Sequence, residues 1–114
     1  MSLRPGDTFL LPKSASATEH LWIIVTEVDE VTRKAVCVNV TSRRVDSDTT
    51  VVIVVGEHGF IKHESVVYFA DARETNIDEV EKLINVGTTR FVVQLHDPCS
   101  KALLERVKKR TFGI

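Results

Sequence analysis

Two histidines, a lysine and two carboxylates crowd the segment Gly56-Glu57-His58-Gly59-Phe60-Ile61-Lys62-His63-Glu64-Ser65, which lies between two runs of strand formers. Imidazole exchanges protons near neutral pH, and loops held by a rigid sheet are where chemistry collects. His58 and His63 are therefore candidate proton-transfer groups, with Lys62 and Ser65 beside them as a cation and a hydroxyl for binding a substrate. The competing reading makes both histidines polar turn residues that cap strand ends. Two further segments carry suitable groups. His20 opens an apolar run, and Thr41-Ser42 ends an alternating one, followed by the cations Arg43 and Arg44.

Other chemistries fit less well. Glu57, His58, His63 and Glu64 include side chains that bind zinc, but no third His or Cys lies close by and the spacing is not a recurrent one. No metal or other cofactor is expected. No serine sits in a strand-to-helix elbow of the kind a Ser-His-Asp hydrolase uses, and no glycine-rich phosphate loop is present. Of the two cysteines, Cys37 falls in an apolar strand and reads as a small core side chain. Cys99 falls near a helix start, where a reactive thiolate is the alternative.

The elements that must position these groups can be read from periodicity. Arg4-Pro5-Gly6-Asp7 is a turn signature, and Thr8-Phe9-Leu10-Leu11 is a short strand stopped by Pro12. Residues 13–19, rich in Ser, Ala and Thr, read as a loop. His20 to Thr26 is apolar on both alternating faces, as in a strand covered on two sides. Ala35 to Thr41 alternates, with Val36, Val38 and Val40 on one face and Cys37, Asn39 and Thr41 on the other. Thr50 to Val55 and Ser65 to Phe69 are further β-branched runs, and Thr89 to Gln94 is expected as the last strand. Ile77, Val80 and Ile84 have helical spacing over 76–85, with Gly87 as a stop. Asp97-Pro98 reads as a cap and first turn for a C-terminal helix packed by Leu103, Leu104 and Val107.

A chain of 114 residues, 43% hydrophobic, can bury one core and not two, so residues 1–114 are expected to be a single domain. A net charge of -1 argues against a protein that coats nucleic acid indiscriminately. No apolar run approaches the roughly 18 residues a membrane helix needs, and the N-terminus lacks a signal-peptide core, so no membrane partner and a cytoplasmic location are expected. Closely spaced short strands with few helices point to a mainly β fold, a small bent antiparallel sheet or barrel.

The order of these segments resembles the MazF/PemK family of growth-inhibiting toxins. Pro5-Gly6-Asp7-Thr8-Phe9-Leu10-Leu11-Pro12 is similar to the family's opening strand, His20 to Thr26 to its second apolar strand, and Val38-Asn39-Val40-Thr41-Ser42 to its strand ending in Thr-Ser. The resemblance implies an SH3-like barrel with a short helix and a C-terminal helix. It also implies a type II toxin-antitoxin endoribonuclease that cleaves single-stranded RNA without metal, a homodimer, and an antitoxin protein as partner. Two departures stand out. The family's arginine before its second strand is replaced near His20, and the His58-to-His63 turn is not shared in this form.

Metal-free cleavage of RNA needs a base for the 2′-hydroxyl proton, an acid for the leaving 5′-oxygen, and donors or cations on the phosphorane. His20, His58 or His63 supplies the first two, Thr41 and Ser42 the donors, and Lys62, Arg43 or Arg44 the charge. Trp22, Phe60 and Tyr68 are candidates to stack on unpaired bases, against a core reading for Trp22. The alternative function is a non-catalytic β-barrel that binds RNA or a partner protein.

Overall fold

Leu21, Ile23 and Val25 alternate with Trp22 and Ile24, and all of these side chains are buried. A strand with no polar face must be covered on both sides, and the fold is organised around that requirement. The computed structural model describes residues 3–12, 19–86 and 94–112. It contains strands β1 (Thr8–Pro12), β2 (Glu19–Ile24), β3 (Lys34–Ser42), β4 (Val52–Ile53), β5 (Ser65–Asn76) and β6 (Gln94–His96), with helices α1 (Ile77–Val86) and α2 (Lys101–Phe112). The strands form one antiparallel sheet in the order β4-β5-β3-β2-β1-β6, curled into a half-barrel.

Each face of the sheet has its own core. Leu21, Ile23, Val38 and Val40 pack with Leu103 and Val107 of α2 on one face. Phe9, Trp22, Ile24 and Cys37 pack with Ile77 and Val80 of α1 on the other. The helices are thus the two covers that β2 demands. Asn76 caps α1, its Oδ1 accepting from the Glu79 N–H at 3.1 Å.

Four expectations change. The strand over Thr50–Val55 shrinks to Val52–Ile53, because the Glu57 carboxylate takes the Val54 N–H at 3.1 Å and turns the chain. β5 runs on from Phe69 to Asn76 through residues whose propensities favour a loop. Pairing to β3 overrides them across a large bulge: Cys37 faces Arg73 and Asn39 faces Tyr68, so Val38 stands opposite residues 69–72. The C-terminal helix is capped by Ser100 and not by Asp97, the Ser100 Oγ accepting from Leu103 N–H at 3.1 Å. Finally, the last strand runs past Gln94 to His96; residues 89–93 of the expected strand, the loop at 13–18 and Gly87 lie outside the described residues.

Gly6 is required where it stands. Its φ of +94° suits only glycine, a Cβ would lie 3.3 Å from Leu104 Cδ2, and its carbonyl accepts the Cys99 N–H that leads into α2.

Candidate active site

β2 begins at Glu19, β3 ends at Ser42 and β5 begins at Ser65, and antiparallel pairing brings these three termini to one end of the sheet. Ser42 pairs directly with Ser65, and Thr41 with Val66. The turn before β5 closes over this end. The result is a cavity of about 540 Å³ into which β2 contributes His20, the end of β3 contributes Thr41 and Ser42, and the turn contributes Lys62 and His63. Ser65 and Arg44 also line it. Its remaining walls are Glu19, Val40, Phe60 and Ile61.

Hydrogen bonding sets the state of one imidazole. His20 Nδ1 lies 3.1 Å from the Val40 carbonyl oxygen, which only accepts, so Nδ1 carries the proton and the neutral ring keeps its lone pair on Nε2. That nitrogen has no hydrogen-bond partner among the described residues, as a base requires. The second imidazole is coupled to a hydroxyl: Ser42 Oγ and His63 Nε2 are 2.6 Å apart. Arg44 and Lys62 form no ion pair among the described residues, so two uncompensated cations face a cavity whose one carboxylate is Glu19. The Thr41 hydroxyl makes no hydrogen bond among the described residues and remains a donor.

Other predicted groups are used elsewhere. His58 is buried, with its Nε2 2.7 Å from the Asp97 carbonyl and 3.2 Å from Thr8 Oγ1, while its Nδ1 accepts the Phe60 N–H at 3.0 Å. It does not line the cavity. Both ring nitrogens are spent on tying the turn to β1 and to the approach to α2. Arg43 points to Glu64 at 2.8 Å, a pair that clasps the ends of β3 and β5 from outside the cavity. The Ser65 hydroxyl donates to the His63 carbonyl at 2.9 Å, so it shapes the turn. Trp22 is core, its Nε1–H donating to the Leu11 carbonyl at 3.0 Å, with Arg73 stacked 5.2 Å from its ring. Phe60 keeps one side on the cavity and packs edge-on against His96, ring centroids 5.6 Å apart.

The zinc-type side chains of the turn disperse. Glu57 pairs with Arg106 at 2.8 Å, His58 with Asp97, His63 with Ser42 and Glu64 with Arg43. Among the described residues no three His, Cys, Asp or Glu side chains are grouped to hold a metal. Burial raises the Cys37 thiol to about 11 and also pushes the Cys99 thiol up, the reverse of what a reactive thiolate needs.

Sequence reasoning passed over Glu19 and His96. Glu19 adjoins His20 and needed only the strand start moved by one residue to be noticed. His96 packs its ring against Phe60 at the cavity wall, a contact with no local signature. No protein-family model matches the chain, and no curated protein matches it.

Proposed function

We propose that this cavity binds a phosphodiester of single-stranded RNA and that the chain is a metal-independent endoribonuclease of the toxin type, a divergent relative of the MazF/PemK barrels. One observation carries the reading: two imidazoles, two cations without carboxylate partners and the Thr41 and Ser42 hydroxyls line a single cavity of about 540 Å³. His20 Nε2 accepts the 2′-hydroxyl proton, and the freed oxygen attacks phosphorus. Protonated His63 returns a proton to the departing 5′-oxygen, leaving a 2′,3′-cyclic phosphate on the upstream fragment. Arg44 and Lys62 offset the charge of the phosphorane, while Thr41 and Ser42 donate to its oxygens. Arg44 supplies from the end of β3 the guanidinium that the resembling family carries ahead of its second strand.

An SH3-like closure of the half-barrel, a homodimer, an antitoxin protein partner and a cytoplasmic location belong to the same reading. None of the helices among the described residues is long and apolar enough to cross a membrane.

The test is incubation of the purified chain with single-stranded RNA in excess chelator. The expected result is cleavage with 2′,3′-cyclic phosphate ends, lowered about 10²- to 10⁴-fold by His20→Ala or His63→Ala. RNA that binds but stays intact would make the chain a non-catalytic binding module.

A further inference from the structure

We propose that the groove next to the cavity is a nucleobase subsite that selects guanine through Asp46, an inference that rests on the RNA reading above. The groove has a volume of about 360 Å³ and shares Thr41, Ser42 and Arg44 with the cavity. The two spaces are therefore adjoining compartments around the end of β3. A phosphodiester held in the first has its attached nucleoside within reach of the second, because the two are covalently joined.

The compartments differ in charge. The cavity sets Arg44, Lys62 and two imidazoles against the single carboxylate of Glu19, whereas the groove sets Asp46 and Asp48 against the shared Arg44. A second phosphate in the groove would meet these two carboxylates. A base bearing N–H donors would meet acceptors.

The two carboxylates are not equivalent. Asp48 is already engaged by the Thr50 N–H at 2.9 Å, by the Thr50 hydroxyl at 2.5 Å, and by Arg110 at 3.5 Å. Asp46 is exposed and makes no hydrogen bond or ion pair among the described residues. The turn that carries it is closed, the Arg44 N–H donating to Ser47 Oγ at 2.7 Å and the Ser47 N–H to the Arg44 carbonyl at 3.2 Å. Tyr68, 42% exposed, lines the same groove and offers a ring on which a base can stack.

Guanine follows from the chemistry of one carboxylate. Its Watson–Crick edge places two donors side by side, N1–H and the exocyclic amino group, matching the two oxygens of Asp46. Adenine and cytosine pair their single amino group with a ring acceptor that a carboxylate repels. Uracil flanks its one N–H with two carbonyl acceptors.

The experiment uses fluorescence anisotropy with labelled 2′-O-methyl hexamers, whose capped 2′-oxygen prevents cleavage. One is all uridine; the others carry one guanosine, adenosine or cytidine moved through each position. The expected result is one position at which guanosine, and neither adenosine nor cytidine, tightens binding by about tenfold, and Asp46→Ala erases that difference. Equal affinities throughout, or a guanosine preference that survives Asp46→Ala, would overturn the subsite. Unmodified hexamers assayed in parallel separate the two readings. Cleavage without base preference overturns the subsite alone. A guanosine preference lost in Asp46→Ala, without cleavage of any hexamer, upholds the subsite and overturns the nuclease reading. Failure to bind any hexamer overturns both.

Discussion

Replacing His58 by alanine should destabilise the fold by about 3 kcal/mol while leaving the chemistry of the folded molecules in place. The ring is 6% exposed and joins three segments: Nε2–H reaches the Asp97 carbonyl at 2.7 Å, and Nδ1 takes the Phe60 N–H at 3.0 Å. Each of these bonds contributes about 1 kcal/mol net. The Phe60 N–H left behind and the space vacated by the ring add roughly another 1–2 kcal/mol. The Asp97 carbonyl is not stranded, because Thr8 Oγ1 donates to it at 2.7 Å, and this holds the total near the low end. Urea unfolding followed by circular dichroism measures the change as a fall in midpoint of about 1–3 M, given slopes of about 1–3 kcal/mol/M. Two partial replacements sharpen the test. Asparagine places an oxygen where Nδ1 was and keeps the Phe60 bond, whereas glutamine places an amide where Nε2 was and keeps the Asp97 bond. Each should recover about half of the loss. A cost below 1 kcal/mol for His58→Ala, or a collapse of the proposed RNA cleavage in fully folded His58→Asn, would refute the reading of His58 as a tie between the turn, β1 and the approach to α2.

Three further outcomes follow from the same geometry. Glu57 is held below the usual carboxylate value of 4.5, since burial opposes its ionisation but the Arg106 guanidinium and the Val54 N–H outweigh it. A depressed pKa stabilises the fold above the unfolded value and loses that contribution as pH falls through the folded one. The gap in urea midpoint between wild type and Glu57→Gln should therefore be present at pH 7 and narrow by pH 3, and a gap of constant size would contradict the pairing. The buried thiol of Cys37, raised to about 11, should resist a disulfide exchange reagent at pH 8 in the native protein and react once it is denatured. Prompt labelling of the native form would count against its burial. Gly6→Ala should cost about 1–3 kcal/mol in thermal unfolding, because alanine is strained at a φ of +94° and its methyl meets Leu104; an unchanged melting temperature would show that the turn is not held there.

Where a signal is local, it was readable. Strand β2 announced itself by an unbroken apolar run from Leu21 to Ile24, β3 by strict alternation, and α1 and α2 by apolar stripes, because each of these patterns depends on a period set by backbone geometry. That residues near His20, Thr41 and the turn before β5 share one end of the sheet also followed from the chain alone, since antiparallel strands return alternate connections to the same end.

The allocation of the polar groups was not legible. His58 and His63 are five positions apart in one turn, yet one is buried as a fastening and the other reaches Ser42. Nothing in the residue types distinguishes them; the Asp97 carbonyl and the Thr8 hydroxyl, far away in sequence, decide it. Arg43 and Arg44 divide in the same way, with Glu64 taking the first and the cavity receiving the second. The extension of β5 was hidden for a related reason, since its polar residues acquire strand geometry only through hydrogen bonds offered by β3. Sequence by itself determined the periods, the burial pattern of the sheet and the end at which chemistry can gather. Tertiary structure alone decided which imidazole, which guanidinium and which hydroxyl remain available there, because a polar group's role depends on the partners that folding brings within hydrogen-bonding distance.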